Sequence, residues 1–135
     1  MRTLCCFVLL LVFCPSAYAI SELKREWEGV YLSKASDEYK AAVKAVKCAI
    51  CHKKSGDKKL AENRNEYGTM MSKFLKSKKV TISDLKKEYK DPSTKEAAKK
   101  KIKYMFDKVG EQKSKDGDRF IDKIKADKLP ATDAG

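Results

Sequence analysis

The chain has 135 residues, 31 of them Lys or Arg and 19 Asp or Glu, for a formal charge of +12. That length excludes a multidomain enzyme and allows one small basic domain, while 42% apolar residues with Tyr, Phe and Trp among them exclude a disordered polyelectrolyte. Three Pro and six Gly exclude collagen-like and Pro-rich linker architectures.

Read in chain order, Met1-Arg2-Thr3 is a short cationic start, Leu4 to Cys14 an apolar run, and Pro15-Ser16-Ala17-Tyr18-Ala19 ends in small residues at the spacing a signal peptidase reads. Residues 1–19 are therefore expected to be a cleaved secretory signal. The eleven-residue run is too short for the roughly 20 residues that span a bilayer. No second hydrophobic segment follows, so an exported or periplasmic chain without a transmembrane anchor is expected. Removing residues 1–19, Arg2 among them, leaves 116 residues with 30 basic and 19 acidic side chains, or +11. Cys5, Cys6 and Cys14 leave with the signal; Cys48, Cys51 and the single histidine, His52, stay.

Helices are expected throughout the remainder. Leu23, Trp27, Val30 and Tyr31 share helical spacing. Ser36 is a good N-cap, with Asp37 and Glu38 in the first turn and Tyr39, Val43 and Val46 on one face of a helix leading to Cys48. Lys53 to Leu60 reads as a loop. Tyr67, Met70, Met71, Phe74 and Leu75 repeat as one helical face. A short helix is expected from Ser83 through Tyr89, broken at Asp91-Pro92. Ala98, Ile102, Met105, Phe106 and Val109 mark a longer helix, and Phe120, Ile121 and Ile124 a last short one. Val80-Thr81-Ile82 is the only β-branched run and is too short for a strand. The expected class is all-α: one domain over residues 20–130, with 131–135 a frayed tail.

Cys48-Ala49-Ile50-Cys51-His52 is a C-x-x-C-H sequence, the attachment signature of c-type haem. Two thiols three residues apart on one turn reach the two vinyl groups at a haem edge, and the next residue offers an imidazole to the iron. Three rival readings exist. A structural zinc site wants four ligands, and the motif supplies three with no second half. A dithiol redox pair wants a βαβ context, which the helical pattern does not provide. A short-range disulfide is the plain alternative in an exported chain.

The motif, a short Lys/Gly loop, Asn63-Arg64-Asn65-Glu66-Tyr67-Gly68, and a terminal segment from Phe120 closing on Lys128-Leu129-Pro130 together resemble small exported monohaem cytochromes c known mainly from planctomycete bacteria. The likeness runs from about Tyr39 to Pro130. It implies a small cytochrome c-like helical domain wrapped around one covalently bound haem c, with Cys48 and Cys51 as thioether sites and His52 as proximal iron ligand. It implies no substrate.

From the residues themselves, Arg64 and Tyr67 can donate to haem propionates, and Asn63 or Asn65 can cap the Tyr67 helix; the alternative is a solvated helix start. Trp27, Tyr39, Tyr67, Phe74, Tyr104, Phe106 and Phe120 are the aromatics expected to pack a porphyrin and enlarge a thin core. Because His52 is unique, a second histidine ligand is excluded, and methionine sulfur is the usual alternative. Met71 is selected here as the sixth ligand, with Met70, Met105, another residue or an open site left as alternatives. A six-coordinate iron makes a one-electron carrier, and an open site makes a protein that binds NO or CO. No acid-base pair for an enzyme is visible. Lysines recur at Lys53-Lys54, Lys58-Lys59, Lys73 to Lys79, Lys86-Lys87, Lys99 to Lys101 and Lys123 to Lys128. Those near Cys51 would steer acidic redox partners. No nucleic-acid motif accompanies the charge, so nucleic acid is not an expected partner.

Overall fold

The computed structural model describes residues 21–53 and 63–131; the signal-peptide reading, the loop expected after Lys53 and residues 132–135 of the expected tail lie outside the described residues. Ala131, placed in that tail from sequence, is buried in the core.

Six α-helices follow in order: α1 (Ser21–Tyr31), α2 (Asp37–Val46), α3 (Glu66–Ser77), α4 (Ile82–Lys90), α5 (Lys95–Gly110) and α6 (Phe120–Lys125), with a 3-10 turn at Lys47–Ile50 directly after α2. Among the described residues there is no strand, and no helix is long and apolar enough to cross a membrane. The all-α expectation holds.

Three of the helices, α2, α3 and α4, begin where a side chain supplies an acceptor for one of the first orphan N–H groups. The Ser36 hydroxyl accepts from Tyr39 N–H to start α2. At α4 the start differs from the sequence expectation. Thr81, not a residue at Ser83, is the cap: its hydroxyl accepts from Asp84 N–H while the Asp84 carboxylate accepts from Thr81 N–H. The reciprocal pair overrides the β-branched look of Val80-Thr81-Ile82.

α5 is the central helix. It packs against α1, α3, α4 and α6, and the face expected from sequence, Ala98, Ile102, Met105, Phe106 and Val109, is buried. Buried side chains are tied by hydrogen bonds as well as packing. Trp27 Nε1 donates to the Tyr67 hydroxyl at 3.1 Å, and Tyr67 meets the Phe120 ring at 5.1 Å between centroids, so α1, α3 and α6 share one contact point. Tyr39 donates to Lys128 O (2.9 Å), tying α2 to the segment after α6. Tyr89 donates to Glu26 (2.6 Å), tying α4 to α1. Of the aromatics assigned to the core, Tyr104 departs: it is 50% exposed, with its ring edge on Phe74. It lies outside the α5 stripe that faces the other helices.

Lys123 also departs from expectation. Within an apparent run of solvated lysines, its side chain is only 6% exposed, and its ammonium sits 2.8 Å from Asp116 Oδ2. The Asp116 carboxylate also accepts from the Ser114 hydroxyl. These bonds, Lys123 foremost, bring its pKa down from 3.8 to about 2. Because the folded pKa is depressed, the pair contributes stability above about pH 4 and loses it as the pH falls towards 2. In Asp116→Asn, an acid titration followed by circular dichroism should lack the stability loss that the parent shows across that window.

Lys47 ends α2 at φ 49° and ψ −110°, a left-sided conformation costly for a residue with Cβ. This bend turns the chain from α2 into the cysteine segment. Lys47→Gly should raise thermal stability by about 1 kcal/mol, measured as the shift in unfolding midpoint; an unchanged or lower midpoint would contradict strain at this bend.

Candidate functional site

The C-x-x-C-H segment is a short tight turn. Cys51 N–H (3.2 Å) and His52 N–H (3.0 Å) both bond Cys48 O. Residues three apart eclipse one another in a 3-10 turn, so Cys48 and Cys51 project from one edge, with His52 next in line. Cys48 is exposed and Cys51 half-buried, and no disulfide joins them. Burial, and secondarily the Cys48 thiol, push the Cys51 thiol up to about 12. His52 is half-buried, with its Nδ1 inside.

The turn is held by the residues that follow it in sequence. Asn65 Nδ2 donates to both Ala49 O (2.8 Å) and Ile50 O (2.9 Å), satisfying carbonyls that the end of the 3-10 turn leaves open. Its Oδ1 accepts from Gly68 N–H (2.9 Å) as the N-cap of α3. One fully buried amide thus ends the cysteine turn and starts the next helix. Asn63 Nδ2 donates to Lys53 O (3.0 Å). Two backbone bonds, Lys53 N–H to Asn63 O and Asn65 N–H to Cys51 O, then pair His52 with Arg64 as an antiparallel bridge. Opposed residues of such a bridge project to the same side, so the imidazole and the guanidinium share a face.

Gly68 permits the approach. A Cβ there would lie 2.0 Å from Cys51 O and 2.9 Å from Cys51 C. No side chain fits between α3 and the motif backbone, which explains a glycine in the first turn of a helix despite its conformational cost.

The sequence-selected residues therefore divide. Cys48, Cys51 and His52 lie on one turn, and Arg64 stands opposite His52. Tyr67 is fully buried with its hydroxyl held by Trp27, and burial raises its pKa well above 10. Met71 is buried in the core cluster, and so is Met105. Met70, the neighbour of Met71, lines an open cleft of about 370 Å³ beside the motif, together with Arg64 and Phe120. The capping role considered for Asn65 is present. Its second role, as donor to the cysteine turn, was missed from sequence, as were the Asn63 bond and the need for Gly68. The readable signal was the spacing: two asparagines flanking one residue, then a glycine three positions on.

Among the described residues no three His, Cys, Asp or Glu side chains come together in a way that could hold a bare metal ion. Comparison with known protein families, curated proteins and solved structures finds no match. The chemistry of the site accordingly rests on its own residues. Two thiols on one edge, an adjacent imidazole and a neighbouring cleft with an apolar floor and a guanidinium suit a flat, partly apolar group that carries carboxylates.

Gly68→Ala should destabilise the fold by about 3 kcal/mol, because backbone must move to admit the methyl group. Asn65→Ala should cost a similar amount, about 3 kcal/mol, by stranding two buried carbonyls. Urea midpoints of both variants check this, and values within 0.5 kcal/mol of the parent would show that neither contact fixes the turn.

Proposed function

We propose that this chain is an exported monohaem c-type cytochrome that carries single electrons between redox proteins. The observation that supports it most is the C-x-x-C-H turn itself: two thiols three residues apart and a half-buried imidazole, on a backbone fixed by Asn65 and Gly68. In this reading Cys48 and Cys51 hold the porphyrin edge as thioethers, and His52 is the proximal ligand. The haem, when bound, supplies the one-electron couple.

The protein's own part is to fix geometry and environment. The clasp from Asn65 orients the thiols and the imidazole together, so the three attachment points move as one body. Arg64, across the bridge from His52, provides a charged donor on the same face. Tyr67, locked to Trp27, forms the wall from which α3 starts. A wrapping of the helical domain around the haem belongs to the same proposal, and so does a methionine of α3 as distal ligand. Met71 is buried in the core and Met70 lines the cleft, so α3 has a candidate thioether in each place. The basic surface favours acidic partners and faster encounter at low salt.

The deciding experiment is expression of the full chain with a cytochrome maturation system, followed by intact mass and the alkaline pyridine spectrum. The expected result is a cleaved chain heavier by one haem, with two thioethers. A colourless product of polypeptide mass alone would remove the proposal. His52→Ala should retain tethered haem and lose the native low-spin spectrum. Leu at Met70, Met71 or Met105 keeps volume and apolarity, and one of the three variants should lose the ferric sulfur-to-iron band with a drop in potential. If all three keep the parent spectrum and the ferrous parent binds CO readily, the protein is a gas-binding haem protein rather than a carrier.

A further inference from the structure

We propose that the cleft beside the C-x-x-C-H turn is a dicarboxylate site in which Arg64, Lys113 and Lys115 grip the two propionates of the porphyrin. The inference rests on the haem reading and adds the residues that hold the far edge of the group.

The cleft lies between the start of α3 and the turn that precedes α6, and five cationic residues are among those that line it: Lys53, Arg64, Lys73, Lys113 and Lys115. They come from separate parts of the chain. Lys53 and Arg64 belong to the two sides of the His52 bridge, Lys73 lies along α3, and Lys113 and Lys115 arrive from 40 or more residues away on the last turn. One carboxylate lines the same space, Glu66, and its Oε2 accepts from the Lys115 backbone N–H at 2.8 Å. That bond seats the distant turn on the first turn of α3. The turn is itself built: Ser114 Oγ donates to Asp118 O (2.9 Å), and Lys113 pairs with Arg119 in a second antiparallel bridge. Lysines on a solvated surface separate to reduce repulsion; here a fixed turn carries two of them towards an arginine. Convergent cations around a concave space focus a positive field on it, and a doubly anionic ligand removes their mutual repulsion.

The chemistry of the porphyrin supplies such a ligand in the right place. Its vinyl and propionate groups sit on opposite edges, so a porphyrin fastened through Cys48 and Cys51 needs carboxylate partners away from the thiols. Neither cysteine lines the cleft, whereas Arg64, on the same side of the bridge as His52, does. The cleft is lined by the half-buried Met70 and backed by the buried Phe120, an apolar base beneath a cationic rim that suits a flat apolar body with ionised ends. Arginine suits the inner position because its planar fork binds carboxylates bidentately.

The test uses the haem-loaded full chain with three replacements: Arg64→Gln, the double variant Lys113→Gln with Lys115→Gln, and Lys100→Gln as a surface control outside the cleft. Haem content is read first by mass and pyridine spectrum. Reduction potential is then titrated against pH, with propionate vibrational bands followed by resonance Raman. A carboxylate that loses its cationic partner keeps its proton to higher pH, by about one to three units, so the inflection should move up in the first two proteins and stay in the control. Arg64→Lys should restore part of the shift. Lys113 and Lys115 are exposed, so the double variant decides the matter even if Arg64→Gln does not fold. Haem attached in every protein with inflections and propionate bands unmoved would overturn the cleft assignment while leaving the haem reading intact. A parent chain that carries no haem would overturn the haem reading first, and this inference with it.

Discussion

The side-chain amide of Asn65 is the contact on which the local architecture depends. It is completely buried, it donates to two successive carbonyls of the cysteine turn, and it accepts from the first turn of α3. A buried amide is costly unless its hydrogen-bonding capacity is used, and here both of its donors and its acceptor are engaged with backbone. The result is a direct joint between two elements whose bonded residues stand 15 and 16 positions apart in the chain. Gly68 adds the complementary constraint: with no side chain, it lets the α3 backbone rest against Cys51 O. From this joint the rest follows in space. α3 leaves it in a fixed direction, Tyr67 enters the core beside Trp27 and Phe120, and α5 packs over the assembled helices.

How much of this could be read beforehand depended on the range of the interactions involved. Helix faces were legible because a buried stripe imposes a period on the residues that form it; the α5 positions Ala98, Ile102, Met105, Phe106 and Val109 were named from that period alone and are buried. That Cys48 and Cys51 share one turn was legible because a separation of three residues is close to one helical turn. The clasp was only half legible: a cap at Asn65 is a local property of its own helix, but donation to Ala49 and Ile50 joins residues 15 and 16 positions apart and leaves no periodic trace. The exposure of Tyr104 and the burial of Lys123 were likewise hidden, since each depends on which neighbour covers a given helix face. Which methionine faces which side of α3 is a matter of a 100° rotation between adjacent residues, and Met70 and Met71 are both apolar enough to suit either place.

Charge separates into two uses in this chain. Lys24, Lys40, Lys99, Lys101, Lys103 and Lys108 make surface ion pairs with nearby acids, each worth little because solvent screens them. Lys123 is different, a buried cation that ties α6 to the turn before it through Asp116. That turn delivers Lys113 and Lys115 to the cleft. A structural ion pair therefore underlies the placement of the basic groups, and the high lysine content is not evenly interchangeable surface.

The joint around Asn65 also bears on the order in which the molecule assembles. Every bond that shapes the cysteine turn is made between residues 43 and 68. Closing a chain segment of this length costs little entropy compared with contacts spanning the whole chain, and a short sequence separation favours fast formation. α5, which the core needs, stands later in the chain. In a polypeptide delivered with its N-terminus first, the turn and its clasp are thus complete in sequence before the central helix emerges, so this joint can close without waiting for the residues that fill the core.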